Sequence, residues 1–194
     1  MGGVREVEVR LLGKVDYAEA QQLMLELQSQ RLSEDIPDTL LFCSHPEIVT
    51  VGPGARRDGV VVPTDYLTTD VDRGGGITWH GPGQLVVYPI FKWDLEGESN
   101  VKKITSKLEQ WAIAALHRLD IEATTDERMQ GVWVEGSKIG SVGLAFMRWV
   151  SRHGFTINYL IMLLVDFLRV DFLRVDFLRV DFLLNFCELY FLFE

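Results

Sequence analysis

An α+β fold, a mixed or antiparallel sheet with flanking helices, is predicted by three features of this sequence. Short stretches with strand-like patterning recur between residues 6 and 160. Two longer stretches instead space their apolar residues at the helical period. The two kinds follow one another irregularly, without the strict strand–helix alternation that builds a parallel sheet.

The elements follow in order. Glu6 to Leu11 alternates charged and apolar residues and predicts a half-buried strand. Asp16 with Glu19 resembles a capping box and opens a helix with the apolar face Tyr17, Ala20, Leu23, Met24 and Leu27. Leu40 to Phe42 and Ile48 to Val51 predict two short strands around the turn Ser44 to Glu47, and Gly52 to Gly59 predicts a loop. A glycine-rich stretch, Arg73 to Gly83, leads into a strand from Leu85 to Ile90. Asn100 caps a second helix, with Ile104, Leu108, Trp111, Ala112 and Ala115 on one face. Further strands are predicted at Gly131–Val134, Lys138–Leu144 and Phe155–Leu160, the first two joined by a turn at Glu135-Gly136.

Residues 165–184 are of another kind: four tandem pentapeptides, Val-Asp-Phe-Leu-Arg three times and then Val180 to Leu184. On a helix each repeat turns the chain by about 500°, so the aspartates spiral around the axis. On a strand, an odd period puts each residue type on alternate faces. Neither geometry gives one apolar face. The tract reads as sequence expansion or a reading-frame artefact rather than selected structure.

Composition narrows the function. The 194 residues suit one domain, or one with a small appendage, and 47% hydrophobic residues fill a core. A net charge of −9 argues against a nucleic-acid surface. Charges throughout the apolar tail exclude a membrane span, which needs about 20 nearly uncharged residues. The N-terminus has no apolar signal region, and with only Cys43 and Cys187 no disulfide framework is implied; a reducing cytoplasm is the expected location. His45, His80, His117 and His153 are scattered without ligand-like spacing, so neither a metal nor another cofactor is expected.

The stretch with the most information runs from Arg73 to Ile90: RGGGITWHGPGQLVVYPI. Glycine is used this densely where backbone must approach a ligand or another strand closely. Other motifs follow in order: His45-Pro46 with Val49 to Gly52; Gly131 to Val134; Ser137 to Gly143; and Arg148 to Val150 with His153 to Asn158. Together they resemble the lipoyl(octanoyl) transferases, of the biotin/lipoate ligase-like superfamily, over about residues 5–158. The resemblance implies a biotin/lipoate protein ligase-like fold and a catalytic domain over 1–158, C-terminally incomplete, followed by an aberrant apolar tail over 159–194. It implies transfer of an octanoyl group from octanoyl-acyl carrier protein to a lysine of lipoyl domains, in 2-oxoacid dehydrogenase subunits and the glycine cleavage H protein.

The mechanism so implied passes through an acyl-enzyme on a cysteine thiolate, which needs a nearby ammonium to lower its pKa. Lys138 matches the family lysine, although by context alone it reads first as a solvated strand residue after the turn at Glu135-Gly136. Arg73, Gly74, Gly75, Gly76, Ile77, Thr78, Trp79 and His80 match the family's substrate-contacting stretches, as do Ser141, Val142, Gly143, Gly154, Phe155 and Thr156. The resemblance makes the glycine-rich segment a wall of the acyl pocket, its amides facing the thioester carbonyl. His80 is open between a catalytic role and a scaffold role. Arg56 and Arg57 are candidates to meet the acidic carrier protein.

The nucleophile breaks the pattern. The family's cysteine lies in a Pro-Cys-Gly motif, but the matching position is Phe172 and no Pro-Cys-Gly occurs in the chain. Cys187, between bulky apolar residues and Glu188, is a poor stand-in, since an acidic neighbour raises a thiol pKa. Cys43 reads as a buried strand cysteine. Two other readings stay open: an ATP-dependent lipoate or biotin ligase, and a non-catalytic truncated product.

Overall fold

The computed structural model describes residues 5–62, 64–127 and 129–159. The pentapeptide tract, Phe172 and Cys187 lie outside the described residues. Strand β1 (Val7–Lys14) is followed by helix α1 (Tyr17–Leu32), strands β2 (Asp38–Ser44) and β3 (Ile48–Val51) and the short helix α2 (Pro53–Arg57). Strands β4 (Thr68–Asp70), β5 (Ile77–His80) and β6 (Gln84–Ile90) precede helix α3 (Val101–His117). Strands β7 (Thr124–Asp126), β8 (Met129–Val134), β9 (Ser137–Met147) and β10 (Val150–Asn158) complete the described fold.

Seven strands form one sheet in the order β1-β2-β6-β10-β9-β8-β7, and β4-β3-β5 form a smaller one. The β1–β2 and β3–β4 pairs are parallel and the others antiparallel, so the sheets are mixed. Every residue of β6 is buried. Its side chains alternate between two cores: Leu85 and Val87 pack with the α3 residues Ile104, Leu108, Trp111, Ala112 and Ala115. Val86, Tyr88 and Ile90 pack with Ala20, Met24 and Leu27 of α1. The central sheet is thus covered by α1 on one face and α3 on the other.

Both helical faces follow the apolar spacing, with Leu23 partly rather than fully buried. Asn100 caps α3, its side chain accepting from the Lys103 amide at 3.0 Å. The turn at Glu135-Gly136 forms with both residues at positive φ, +48° and +76°, the conformation that matches the twist of a two-residue hairpin. Arg148 and Trp149 turn the β9–β10 hairpin in the same way.

Three expectations need correction. Asp16 is the N-cap of α1, but its side chain makes no capping bond; its carboxylate instead favours the protonated form of the nearby His45. The segment 52–59 is not a plain loop, because Pro53 at the first helical position has its φ preset for the turn that becomes α2. The strand predicted from Phe155 starts five residues earlier, at Val150, because it completes a hairpin with β9.

Candidate active site

A cavity of about 360 Å³, its open mouth included, lies between the N-terminus of α1, the small sheet, and strands β6, β9 and β10. Tyr17 enters it from the first turn of α1, and Arg73, Thr78 and His80 from the segment entering and forming β5. Val86 and Tyr88 form its wall on β6, with Ser141 to Gly143 on β9 and His153 to Thr156 on β10.

Of the residues expected at the substrate, Arg73, Thr78, His80, Ser141, Val142, Gly143, Gly154, Phe155 and Thr156 therefore meet around one cavity. Gly74, Gly75, Gly76, Ile77 and Trp79 do not line it. The Gly54 amide donates to the Gly75 carbonyl and the Gly52 amide to that of Gly76. A Cβ at Gly52 or Gly54 would lie 2.5 or 2.7 Å from the Gly75 oxygen, so the glycine run is a backbone crossing that holds β5 against the start of α2. The Gly74 amide is engaged by the Leu144 carbonyl at 2.8 Å. Ile77 packs on Val49, Val51 and Ala55, and Trp79 is exposed.

Gly154 serves the cavity by letting two strands close. A Cβ there would fall 2.0 Å from the Val87 carbonyl oxygen, so only glycine lets β10 sit this close to β6.

The polar residues are buried and mutually satisfied. Arg73 is 7% exposed and donates to the Thr50 carbonyl, the Thr50 hydroxyl and the Gly74 carbonyl. Burial lowers its pKa, yet a guanidinium stays charged. His80 has Nδ1 against the Gln84 side-chain oxygen at 2.7 Å and Nε2 against the Thr50 hydroxyl at 3.3 Å. Burial pushes its pKa down to about 3, so the ring is neutral with both nitrogens engaged. His45 donates from Nδ1 to the Val15 carbonyl and accepts at Nε2 from the Tyr88 hydroxyl, both at 2.8 Å.

Three of the four histidines, scattered in the sequence, converge here: the His45 and His80 ring centres are 5.6 Å apart, and His153 reaches Tyr17, which stacks on His80. Among the described residues, no group of three or more His, Cys, Asp or Glu is placed to hold a metal.

Lys138 is not among the cavity-lining residues. It is half-buried on β9, its Cε over Gly131, where a Cβ would come within 2.5 Å of it. Burial lowers its pKa and the charge of Glu109 on α3 opposes that shift. The Glu109 carboxylate in turn accepts from the Gly131 amide at 2.7 Å. Cys43 is 2% exposed, with its thiol pushed up to about 12 by burial. Arg56 bonds the Val51 and Val71 carbonyls and Asp70, and Arg57 bonds Asp58.

Sequence reasoning missed Tyr17, Val86, Tyr88 and His153 as cavity residues. Tyr17 carries only a core-like apolar signal, whereas Val86 and Tyr88 lie inside the Arg73–Ile90 motif, where they read as strand residues. His153 stands beside Gly154 in a recognised motif, which could have drawn attention to it. Among the described residues no helix is long and apolar enough to cross a membrane.

Residues 16–170 match the family model of the lipoyl protein ligase A/B catalytic domain. The octanoyltransferase of Rubrobacter xylanophilus is 41% identical over 157 residues, covering 77% of this chain and 70% of the relative. That of Alkalilimnicola ehrlichii is 37% identical over 156 residues, covering 79% and 70%. Among solved structures, a T. acidophilum protein described as a lipoate protein ligase superposes with a TM-score of 0.68 at 16% identity, covering 94% of this chain and 85% of that one. A lipoate-protein ligase A bound with ATP superposes with a TM-score of 0.60 at 15% identity, covering 97% and 85%. The structural matches bear on the fold, which is that of the lipoate ligases, and the sequence matches on descent. This chain belongs to the octanoyltransferase family of acyltransferases, within the lipoyl protein ligase A/B catalytic domain family.

Proposed function

We propose that the chain binds the octanoyl thioester of acyl carrier protein in the cavity beside Tyr17, Arg73 and His80, as an octanoyltransferase of lipoate biosynthesis. The observation that carries this reading is the convergence of three separate motif segments, 73–80, 141–143 and 154–156, on one cavity. In this reading the acceptor is a lysine of a lipoyl domain, in a 2-oxoacid dehydrogenase subunit or the glycine cleavage H protein, and the reaction belongs in the cytoplasm. Lys138 is the ammonium that would lower the pKa of an attacking thiol and later take the proton of the incoming amine. Its own lowered pKa suits that exchange. Arg73, a buried cation in the cavity lining, is the group read here as stabilising the developing carbonyl charge.

The nucleophile is the missing part. With Cys43 buried and its thiol raised to about 12, no described cysteine is a thiolate at neutral pH. The chain is therefore read as an acyl-binding octanoyltransferase that does not form the acyl-enzyme. Incubation with octanoyl-acyl carrier protein, followed by intact-protein mass spectrometry, tests this: binding without a covalent adduct is the expected outcome. An adduct mapped to Cys187 overturns it and makes the tail functional. A failure to bind octanoyl-acyl carrier protein, together with ATP–pyrophosphate exchange on adding lipoate, would move the chain to the ATP-dependent ligases that share its fold.

A further inference from the structure

One cavity residue, His153, and the carboxylate behind it, Asp72, have no part in the cysteine–lysine chemistry. His153, 2% exposed, has Nε2 at 2.8 Å from Asp72 Oδ1 and Nδ1 at 3.4 Å from the Tyr17 hydroxyl. Asp72 is also held by Arg152. Burial alone would raise the Asp72 pKa, but the bonds from His153 and Arg152 outweigh it and keep the carboxyl below its ordinary range. An ionised Asp72 accepts only, so the imidazole proton resides on Nε2 and the Nδ1 lone pair faces Tyr17. This order of carboxylate, imidazole and hydroxyl is the one that orients a general base.

The backbone adds a second observation. His153 has φ +59°, in the left-handed region that a non-glycine residue inside a strand rarely occupies. Such conformations persist where the surrounding structure holds them, and they concentrate at functional sites. The contrast with His80 is informative. Both nitrogens of His80 are taken by the neutral partners Gln84 and Thr50, whereas His153 is backed by a carboxylate that would stabilise its protonated form. The Nδ1 contact to Tyr17, at 3.4 Å, is at the outer limit of a hydrogen bond.

We propose that this cavity hydrolyses medium-chain acyl thioesters, with His153 as the general base and Asp72 as the residue that positions it. The inference rests on the reading that an octanoyl thioester occupies the cavity. A water oxygen attacks the thioester carbonyl carbon, and its proton passes to His153 Nδ1. The carbon–sulfur bond then breaks, and the departing thiolate takes the proton from the imidazolium. A carboxylic acid and a free thiol result, and His153 is neutral again. The charged and titratable groups facing His153 are Tyr17 of α1, Asp72 and Arg73 before β5, His80 on β5 and Arg152 on β10.

The test is thiol release from octanoyl-coenzyme A by the full chain, followed with a thiol reagent across pH. The wild-type rate should have an acid limb. His153→Asn, which tolerates the left-handed backbone, should lower the rate by about 10²-fold, the lower end for loss of a general base. Asp72→Asn, at a half-exposed position, should lower kcat with KM unchanged. It should also move the acid limb to lower pH, since the carboxylate raises the His153 pKa; a purely structural role would not move that limb. An unchanged rate in His153→Asn overturns the proposal. Binding of a non-hydrolysable octanoyl thioether is measured alongside. Binding without thiol release by the wild type refutes the hydrolysis and leaves the octanoyl site standing, whereas no binding refutes both.

Discussion

On the α3 side of the central sheet, Leu40, Phe42, Phe91, Trp93, Leu108 and Phe155 pack at 2% exposure or less. On the opposite side, where the small sheet and the first turn of α1 close over the strands, the buried residues include Tyr17, His45, Arg73, His80, Tyr88 and His153. Apolar contact stabilises the first side wherever volume is filled. The second adds to the apolar packing of Ala20, Met24 and Leu27 a polar cluster that holds only while each donor meets an acceptor and each ring stays neutral. One sheet thus carries a stability core and a chemical core, and their sensitivities to substitution and to pH differ.

The strands between the two faces are the most sensitive place. Gly154→Ala puts a carbon 2.0 Å from the Val87 carbonyl, backbone that cannot move without parting β6 from β10. A loss above about 4 kcal/mol, or failure to fold, is expected in chemical denaturation. A near-wild-type midpoint would show that the two strands need not approach this closely.

On the apolar side, Leu108→Ala should cost about 3 kcal/mol and by the same amount at every pH, because it removes volume and no titrating group.

The polar side should respond to acid instead. His45, His80 and His153 all have pKa values lowered, chiefly by burial, that of His80 to about 3. Each is depressed in the folded state, so the unfolded chain binds more protons below about pH 6.5. Stability is therefore complete above that pH and falls as pH drops toward 3, at about 1.4 kcal/mol per pH unit for each proton taken up. Urea midpoints measured from pH 7 to 5 check this, and a flat profile would break the contrast between the faces.

Tyr88→Phe is the mildest probe, removing the hydroxyl that donates to His45 Nε2. About 1 kcal/mol is expected in denaturant, with His45 titrating at an altered pH by NMR.

The helices were legible because a packed helix writes its period into the chain: Ile104, Leu108, Trp111, Ala112 and Ala115 are all buried as their spacing predicts. Glu135-Gly136 was legible for a local reason, a hairpin turn that needs positive φ. The strands β4 and β7 were not. Each is the tripeptide Thr-Thr-Asp, too short to show alternation, and exists because a neighbouring strand offers a ladder. The same limit applies at the site. Motif residues marked three stretches of the wall, but not that the run Gly74 to Gly76 crosses α2 while Tyr17, 136 positions from His153, completes the cavity.

The sequence by itself determined the fold class, the family, two helical faces and the absence of a Pro-Cys-Gly nucleophile, because periodicity and ordered motifs are properties of the chain. Only the tertiary structure decided which of those motifs meet, that three histidines share one neutral cluster, and that Asp72 stands behind His153. Those are distances between segments far apart in the chain, fixed by sheet order and strand register.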